Sequence, residues 1–254
     1  MTAGEPFADA VVLAAGSSTR MEGPDKLALI VAGLPLVAWT LRAVAAARTV
    51  RRIVLVARAD RLDVVAREPW VRAVNATVVA GGARRQDSVA EGVEAADGEV
   101  VLIHDGARPL VTPALVDQVA NAAREHGAAV PVVPVPESMR RIENGRIVAH
   151  MDKTGLYRSQ TPHGARRELL LAAYRRQDPR GATTFIDETT LVQAAGFPVS
   201  TVPGDPANLK VTLPGDEDLA MALLASRHRQ THGSRPPQQS GMLTETEGVG
   251  WGRA

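Results

Sequence analysis

The chain has 254 residues, no cysteine and a formal net charge of +1. That length suits one large domain or two small ones, and the missing cysteine excludes a disulfide framework, a thiolate zinc centre and a cysteine nucleophile. The balanced charge excludes a global nucleic-acid footprint, so any anionic partner must be met by local Arg and Lys.

Hydrophobic residues make up 45% but aromatics only 3%, so aliphatic side chains must fill the core. Apolar runs at 10–15, 53–57, 76–80, 100–103 and 128–135 predict strands buried on both faces. Between them, residues 36–47, 88–96 and 115–124 carry apolar positions at helical spacing. Thr112 followed by Pro113 predicts a helix start, with a capping hydroxyl and then proline at the first helical position. Strand and helix in regular succession predict a parallel sheet with helices on both faces.

The pattern breaks after Pro136. Asn144-Gly145 predicts a two-residue hairpin turn between arms at 140–143 and 146–149. An isolated hairpin with so few apolar residues is marginal in water; it must lie on its own domain or on a partner subunit. Helices at 165–176 and 188–195, a strand at 199–202 and a last helix at 216–226 follow, the last with Thr212 as a candidate cap. Residues 1–227 form the expected domain, with the arm at about 136–156. Residues 228–254 are polar with Pro and Gly, a composition that predicts a disordered tail. No run of about 18 apolar residues is present, which argues against a membrane helix. The first residues lack a signal-peptide layout, so a cytoplasmic location is expected.

Three strand ends carry candidate chemistry. The loop Leu13-Ala14-Ala15-Gly16-Ser17-Ser18-Thr19-Arg20-Met21, with Lys26 beyond it, joins small residues to two cations at the edge where open parallel sheets bind ligands. Its successive amides can cradle phosphates; the alternative is a plain loop with solvated charges. It is neither a Walker loop nor a dinucleotide fingerprint. Gly81-Gly82-Ala83-Arg84-Arg85-Gln86-Asp87-Ser88-Val89 is alone a capped turn, and paired with the first loop a base and ribose pocket. His104-Asp105-Gly106-Ala107-Arg108-Pro109 places Asp105 to meet magnesium or a substrate hydroxyl and Arg108 to meet a phosphate, unless the two are only an ion pair. His104 is expected to pack beside the strand end.

In order, A-A-G-x-x-x-R-M (14–21), G-G-x-x-R-x-x-S-V (81–89), H-D-x-A-R-P (104–109), Q-T-P (160–162) and N-x-K-V-T (208–212) resemble the 2-C-methyl-D-erythritol 4-phosphate cytidylyltransferase family, over about residues 11–224. The resemblance implies an α/β fold, a three-layer αβα sandwich with a mostly parallel, Rossmann-like nucleotide-binding sheet and a protruding β-hairpin arm. It implies a homodimer in which each arm completes the other subunit's site. The implied reaction joins CTP and methylerythritol 4-phosphate, releases pyrophosphate, uses Mg²⁺ or another divalent cation, and serves non-mevalonate isoprenoid precursor biosynthesis. By resemblance, Arg20 and Lys26 are catalytic. Ala14, Ala15, Gly16, Gly82, Arg85 and Ser88 bind the nucleotide. Asp105, Arg108, Ser138, Lys153, Thr161 and Lys210 bind the acceptor, and Asp105 is a candidate ligand for a magnesium ion held mainly by nucleotide phosphates.

The chain departs from the family at Ser138, where threonine is usual, at Lys153, where arginine is usual, and at Leu27, where glutamine is usual. Lysine keeps the charge but lacks the planar fork that suits phosphate. The alternatives are therefore the same transfer onto another polyol phosphate, such as ribitol 5-phosphate, or a non-catalytic nucleotide-binding paralogue. The presence of Arg20, Lys26, Asp105 and Lys210 together argues against the second.

Overall fold

Side chains alternate between two faces along each apolar run, and this alternation generates three layers. In the computed structural model, which describes residues 5–16, 29–31 and 33–232, β1 (Ala8–Leu13) is followed by a short ladder of β2 (Ile30–Val31) and β3 (Leu34–Pro35). Next come α1 (Leu36–Ala45), β4 (Val50–Ala57), α2 (Leu62–Arg67), α3 (Pro69–Arg72), β5 (Thr77–Ala80), α4 (Arg85–Ala95) and β6 (Val100–Asp105). After α5 (Pro113–His126) come β7 (Ala128–Pro134), the hairpin β8 (Met139–Glu143) and β9 (Arg146–Met151), β10 (Tyr157–Ser159) and β11 (His163–Arg166). The chain continues through α6 (Arg167–Arg176), α7 (Glu188–Ala194), β12 (Ser200–Pro203) and α8 (Asp216–His232).

Among the described residues, eight strands form one sheet in the order β10-β7-β11-β6-β1-β4-β5, with β12 also paired to β7. β1 runs parallel to both β4 and β6, while β10 and β11 run against the rest. Ala10, Val12, Leu55 and Leu102 face α1 and α5; Val11, Val54, Val56 and Ile103 face α4, α6 and α7. Burial of both faces is why these strands read as continuous apolar runs rather than as alternating ones. The expected αβα sandwich is therefore present.

β1 pairs with β4 on one side and β6 on the other, and the β5–α4–β6 connection crosses back between them. This reversal of strand order opens a crevice beyond the carboxyl ends of β1 and β6, where ligands of such sheets bind.

Most element ends fall within a few residues of expectation. Thr112 caps α5, its hydroxyl accepting the Leu115 amide hydrogen at 3.2 Å. α4 starts earlier than expected because Asp87 accepts the Arg84 amide hydrogen at 3.0 Å and closes the first turn. Thr212 does not cap α8: its own amide and that of Leu213 donate to Asp216, each at 2.8 Å. α8 runs to His232, past the expected end at 226 and the expected tail boundary at 228; residues 233–254 lie outside those described. β11 takes the place of the expected first residues of α6. Its sequence, His-Gly-Ala-Arg, has no strand-like alternation, and Gly164 is required because a Cβ there would come within 2.9 Å of Ala123 Cβ and 3.0 Å of Val119 Cγ1 on α5.

The hairpin forms its own two-stranded sheet with nearly every residue exposed, including Ile142 and Ile147. It does not lie on its own domain. No helix among the described residues is long and apolar enough to cross a membrane.

Candidate active site

The two glycine-bearing strand ends face one another. A Cβ on Gly81 would fall 2.4 Å from Ala15 Cβ and 2.8 Å from Ser88 Oγ. A Cβ on Gly82 would fall 2.4 Å from Asp87 Cβ and 3.3 Å from Asp87 backbone, so no side chain fits there. The Gly82 amide donates to Ser88 Oγ at 3.1 Å. Ala15, Gly82 and Ser88 thus converge on the α4 side of β1. Ala14 packs toward the other layer, beside Val37, Leu55 and Trp70, so only its backbone can share the pocket. Among the described residues, nothing lies within 4 Å of a Cβ built on Gly16. Arg20 and Lys26, like Leu27, lie outside the described residues.

Next to this pocket is an ionic cluster centred on Asp105, the last residue of β6. Lys210 Nζ lies 2.7 Å from Asp105 Oδ2, Arg85 Nη2 lies 3.3 Å from Oδ1, and Arg108 Nε approaches Oδ2 at 3.9 Å. Arg85 also pairs with Glu188, Nη1 to Oε1 at 2.6 Å, and Glu188 Oε2 lies 2.9 Å from His163 Nδ1. Burial alone would raise both acids. For Asp105, the charges of Arg85, Lys210 and Arg108 outweigh it and hold the carboxyl well below the usual range. For Glu188, Arg85 and the His163 hydrogen bond outweigh it and hold the carboxyl at about 2. Three cations face two carboxylates, so the cluster is net positive and suits a phosphate.

Behind Asp105 the polar groups are tightly interlocked. Thr161 Oγ1 accepts the Asp105 amide hydrogen at 3.1 Å and lies 3.0 Å from His104 Nδ1. Asn208 donates from Nδ2 to the Thr161 carbonyl at 2.9 Å, and its own carbonyl accepts from Arg108 at 2.8 Å. Thr161 is therefore buried, and its hydroxyl supports the strand end from within. Arg108 Nε and Asn208 Oδ1 are buried without a hydrogen-bond partner. An unmade bond of this kind costs about 1–3 kcal/mol, and among the described residues Arg108 Nε has only the Asp105 carboxylate nearby, at 3.9 Å.

His104 packs beside the strand end as expected. Burial pushes its imidazolium down to about 4 from an ordinary 6.5. The unfolded chain takes up this proton as pH falls through 6.5 and the folded chain resists to about 4, so stability drops as pH falls across that window. The shift corresponds to about 3 kcal/mol. Urea unfolding should show the wild-type protein losing more stability between neutral pH and pH 4.5 than His104→Gln; equal losses would mean that His104 does not titrate there.

The structure thus brings together Arg85, Asp105, Arg108, Thr161 and Lys210, with Ala15, Gly82 and Ser88 adjoining. Arg85, expected beside the nucleotide, points its guanidinium at Asp105 and Glu188. Ser138 and Lys153 stand apart, exposed at the base of the arm, where Lys153 Nζ donates to the Pro136 carbonyl at 2.6 Å. Both oxygens of Asp105 already meet cations, which compete with a metal ion for them while leaving lone pairs for a neutral donor. No group of three His, Asp or Glu side chains is gathered for a metal among the described residues. Glu188 and His163 were not expected here. An acid at a helix start reads as an ordinary first-turn carboxylate, and nothing local marks it further.

Comparison with known proteins points the same way. Residues 8–226 match the family described as 2-C-methyl-D-erythritol 4-phosphate cytidylyltransferase. A protein of that name from Cereibacter sphaeroides is 43% identical over 220 residues, covering 85% of this chain and 96% of its own. Another from Frankia casuarinae is 40% identical over 225 residues, covering 87% and 82%. The crystal structure of the Thermus thermophilus protein of that name superposes with a TM-score of 0.71 at 35% identity, covering 85% of this chain and 98% of its own.

Proposed function

The chain belongs to the 2-C-methyl-D-erythritol 4-phosphate cytidylyltransferase family, and from that premise we propose that it transfers CMP from CTP to methylerythritol 4-phosphate, releasing pyrophosphate, on the route to isoprenoid precursors. The observation that carries the reading is the net-positive cluster around Asp105, beside the glycine-lined strand ends. The glycine-lined strand ends suit a nucleotide and the cationic cluster a phosphorylated polyol.

The chemistry follows from this layout. An oxygen of the acceptor's phosphate attacks the α-phosphorus of CTP. One P–O bond forms, and the bond to the β-phosphate oxygen breaks with its electron pair leaving on pyrophosphate. No covalent protein intermediate is needed, so the protein's work is positioning and charge neutralisation. Asp105 accepts from a hydroxyl of the acceptor, while Lys210 and Arg108 face its phosphate. Ala15, Gly82 and Ser88 seat the cytidine, and Arg20 and Lys26 neutralise the reacting phosphates. A divalent cation, when bound, would add to the charge neutralisation at those phosphates. Both substrates are charged small molecules of the cytoplasm, where we place the reaction.

We further propose a homodimer in which the arm supplies Ser138 and Lys153 to the partner's acceptor. A solvent-surrounded hairpin with exposed Ile142, Ile147 and Val148 supports it. Pyrophosphate release from CTP with a panel of polyol phosphates tests the reaction: turnover should be greatest with methylerythritol 4-phosphate, and preference for ribitol 5-phosphate would reassign the acceptor. In the same assay Arg20→Ala and Lys153→Ala should each be impaired. Mixing them should restore a fraction of wild-type activity, because half-shared sites give one intact site per heterodimer. No recovery despite proven subunit exchange would mean that each subunit builds its own site.

A further inference from the structure

Glu188 lies outside every motif that carries the proposed reaction, yet it is held more closely than an isolated surface acid would be. Its side chain is 7% exposed at the first residue of α7. One oxygen meets Arg85 Nη1 at 2.6 Å; the other meets His163 Nδ1 at 2.9 Å and Arg85 Nη2 at 3.4 Å. The same Nη2 reaches Asp105 at 3.3 Å. Arg85 therefore lies across the crevice with one edge on Glu188 and one tip on Asp105. A free arginine side chain has many rotamers; the buried carboxylate removes that freedom before any substrate arrives.

The neighbours of Arg85 separate this role from folding. Arg84 Nη1 donates to the Gly181 carbonyl at 2.8 Å, and Gln86 donates to the carbonyls of Pro179 at 2.6 Å and Thr183 at 3.0 Å. Gln86 also accepts from the Phe185 amide at 3.1 Å. These bonds tie the segment before α7 to α4 without Glu188. The Arg85–Glu188 contact is the one directed at Asp105.

We propose that Glu188, gripped by His163, is a positioning residue that holds Arg85 at the edge of Asp105 and so leaves Asp105 free to share its oxygens between Lys210 and the acceptor. This rests on the reading that Asp105 meets the acceptor polyol phosphate. Without the Glu188 charge, Arg85 has a single carboxylate partner left. It closes on Asp105 with both nitrogens, the geometry a guanidinium and a carboxylate prefer, and competes with the acceptor for the same oxygens. The nucleotide pocket of Ala15, Gly82 and Ser88 is untouched by that shift.

The test is Glu188→Gln, which keeps the shape and removes the charge. The KM for the acceptor should rise about tenfold, equivalent to roughly 1.4 kcal/mol, while calorimetric affinity for CTP and the melting temperature stay close to wild type. His163→Gln retains an N–H donor for Glu188 and should behave like wild type, whereas His163→Ala should reproduce part of the acceptor defect. Weakening of CTP and acceptor in equal measure, or a lower melting temperature with unmoved kinetics, would make Glu188 merely structural and overturn the proposal. If Glu188→Gln does not fold, the two His163 variants decide: identical acceptor KM values for both would overturn it. Wild-type protein that transfers no cytidylyl group would instead defeat the functional reading. In that case the Arg85 guanidinium N–H resonance in NMR spectra, unmoved by Glu188→Gln, would defeat the positioning as well.

Discussion

Asp105→Asn is expected to lower kcat/KM for the acceptor by at least about two orders of magnitude. Asp105 is a buried anion facing Lys210 at 2.7 Å, Arg85 at 3.3 Å and Arg108 at 3.9 Å. Removing one partner of a buried ionic set costs about 3–5 kcal/mol, because the remaining charges stay uncompensated; each 1.4 kcal/mol is a factor of ten. The amide can accept one hydrogen bond but presents an N–H toward cations. Lys210 would swing away from its 2.7 Å contact, and the acceptor would lose both its hydroxyl partner and its phosphate clamp. Part of the cost will appear as a lower melting temperature, so kinetics should be read below that temperature. CTP affinity, which we assign to the strand ends of Ala15, Gly82 and Ser88, should fall much less. A variant within about threefold of wild type in kcat/KM would remove Asp105 from acceptor binding, since a threefold change is well under the cost of breaking a buried pair.

Arg20→Ala and Lys26→Ala are each expected to lower kcat by about 10²-fold or more, a usual loss when one donor to a developing charge is removed. The cations of the described site are already engaged: Arg85 by Glu188 and Asp105, Lys210 by Asp105, and Arg108 by the Asn208 carbonyl and Asp105. Their charge is committed to the acceptor half. As the α-phosphorus is attacked, negative charge grows on its oxygens and on the leaving pyrophosphate, and neutralisation must come from another part of the chain. Arg20 and Lys26 follow in sequence the strand end of β1 that faces Gly81. Charge that appears mainly in the transition state is answered mainly in kcat, so CTP affinity by calorimetry should change far less than turnover. A variant with near-normal kcat would take that residue out of the mechanism, and equal losses in kcat and CTP affinity would make it a ground-state phosphate binder.

The proposal for Glu188 adds a layer to this division. Arg85 belongs by sequence to a glycine-rich turn of the nucleotide half, and by contact to the acceptor half. Among the described residues its side chain is engaged by Glu188 and Asp105 alone, so a change in its orientation is expected to be felt at Asp105 rather than at the glycine-lined strand ends. Its orientation depends on a carboxylate that neither substrate is proposed to touch.

The longer strands and helices and the order of the motifs were legible in the sequence because they are local, whereas the short elements β2, β3, α2, α3 and β10 were not expected. A strand buried on both faces must be apolar at every position, and a helix must repeat near every fourth; Val11, Val54, Val101 and their neighbours carry that record in the chain itself. The glycines at 81 and 82 were legible for the same kind of reason, since a turn that admits no Cβ leaves no other residue type. β11 was not legible: His-Gly-Ala-Arg is held in the sheet by its neighbours β6 and β7 and by the close approach of α5, none of which its own composition records. The hairpin turn was plain at Asn144-Gly145, but the exposure of both faces of the arm emerged only once the domain had closed without it. The ionic cluster lies further still from what a sequence can display. Arg85 and Glu188 are 103 residues apart and Arg85 and Asp105 are 20 apart. A charged side chain at a helix start or a strand end looks the same whether it faces water or another charge. Which of the two it faces is set by where the crossover from β5 to β6 places α4 against α7, and that placement is a property of the packed core as a whole.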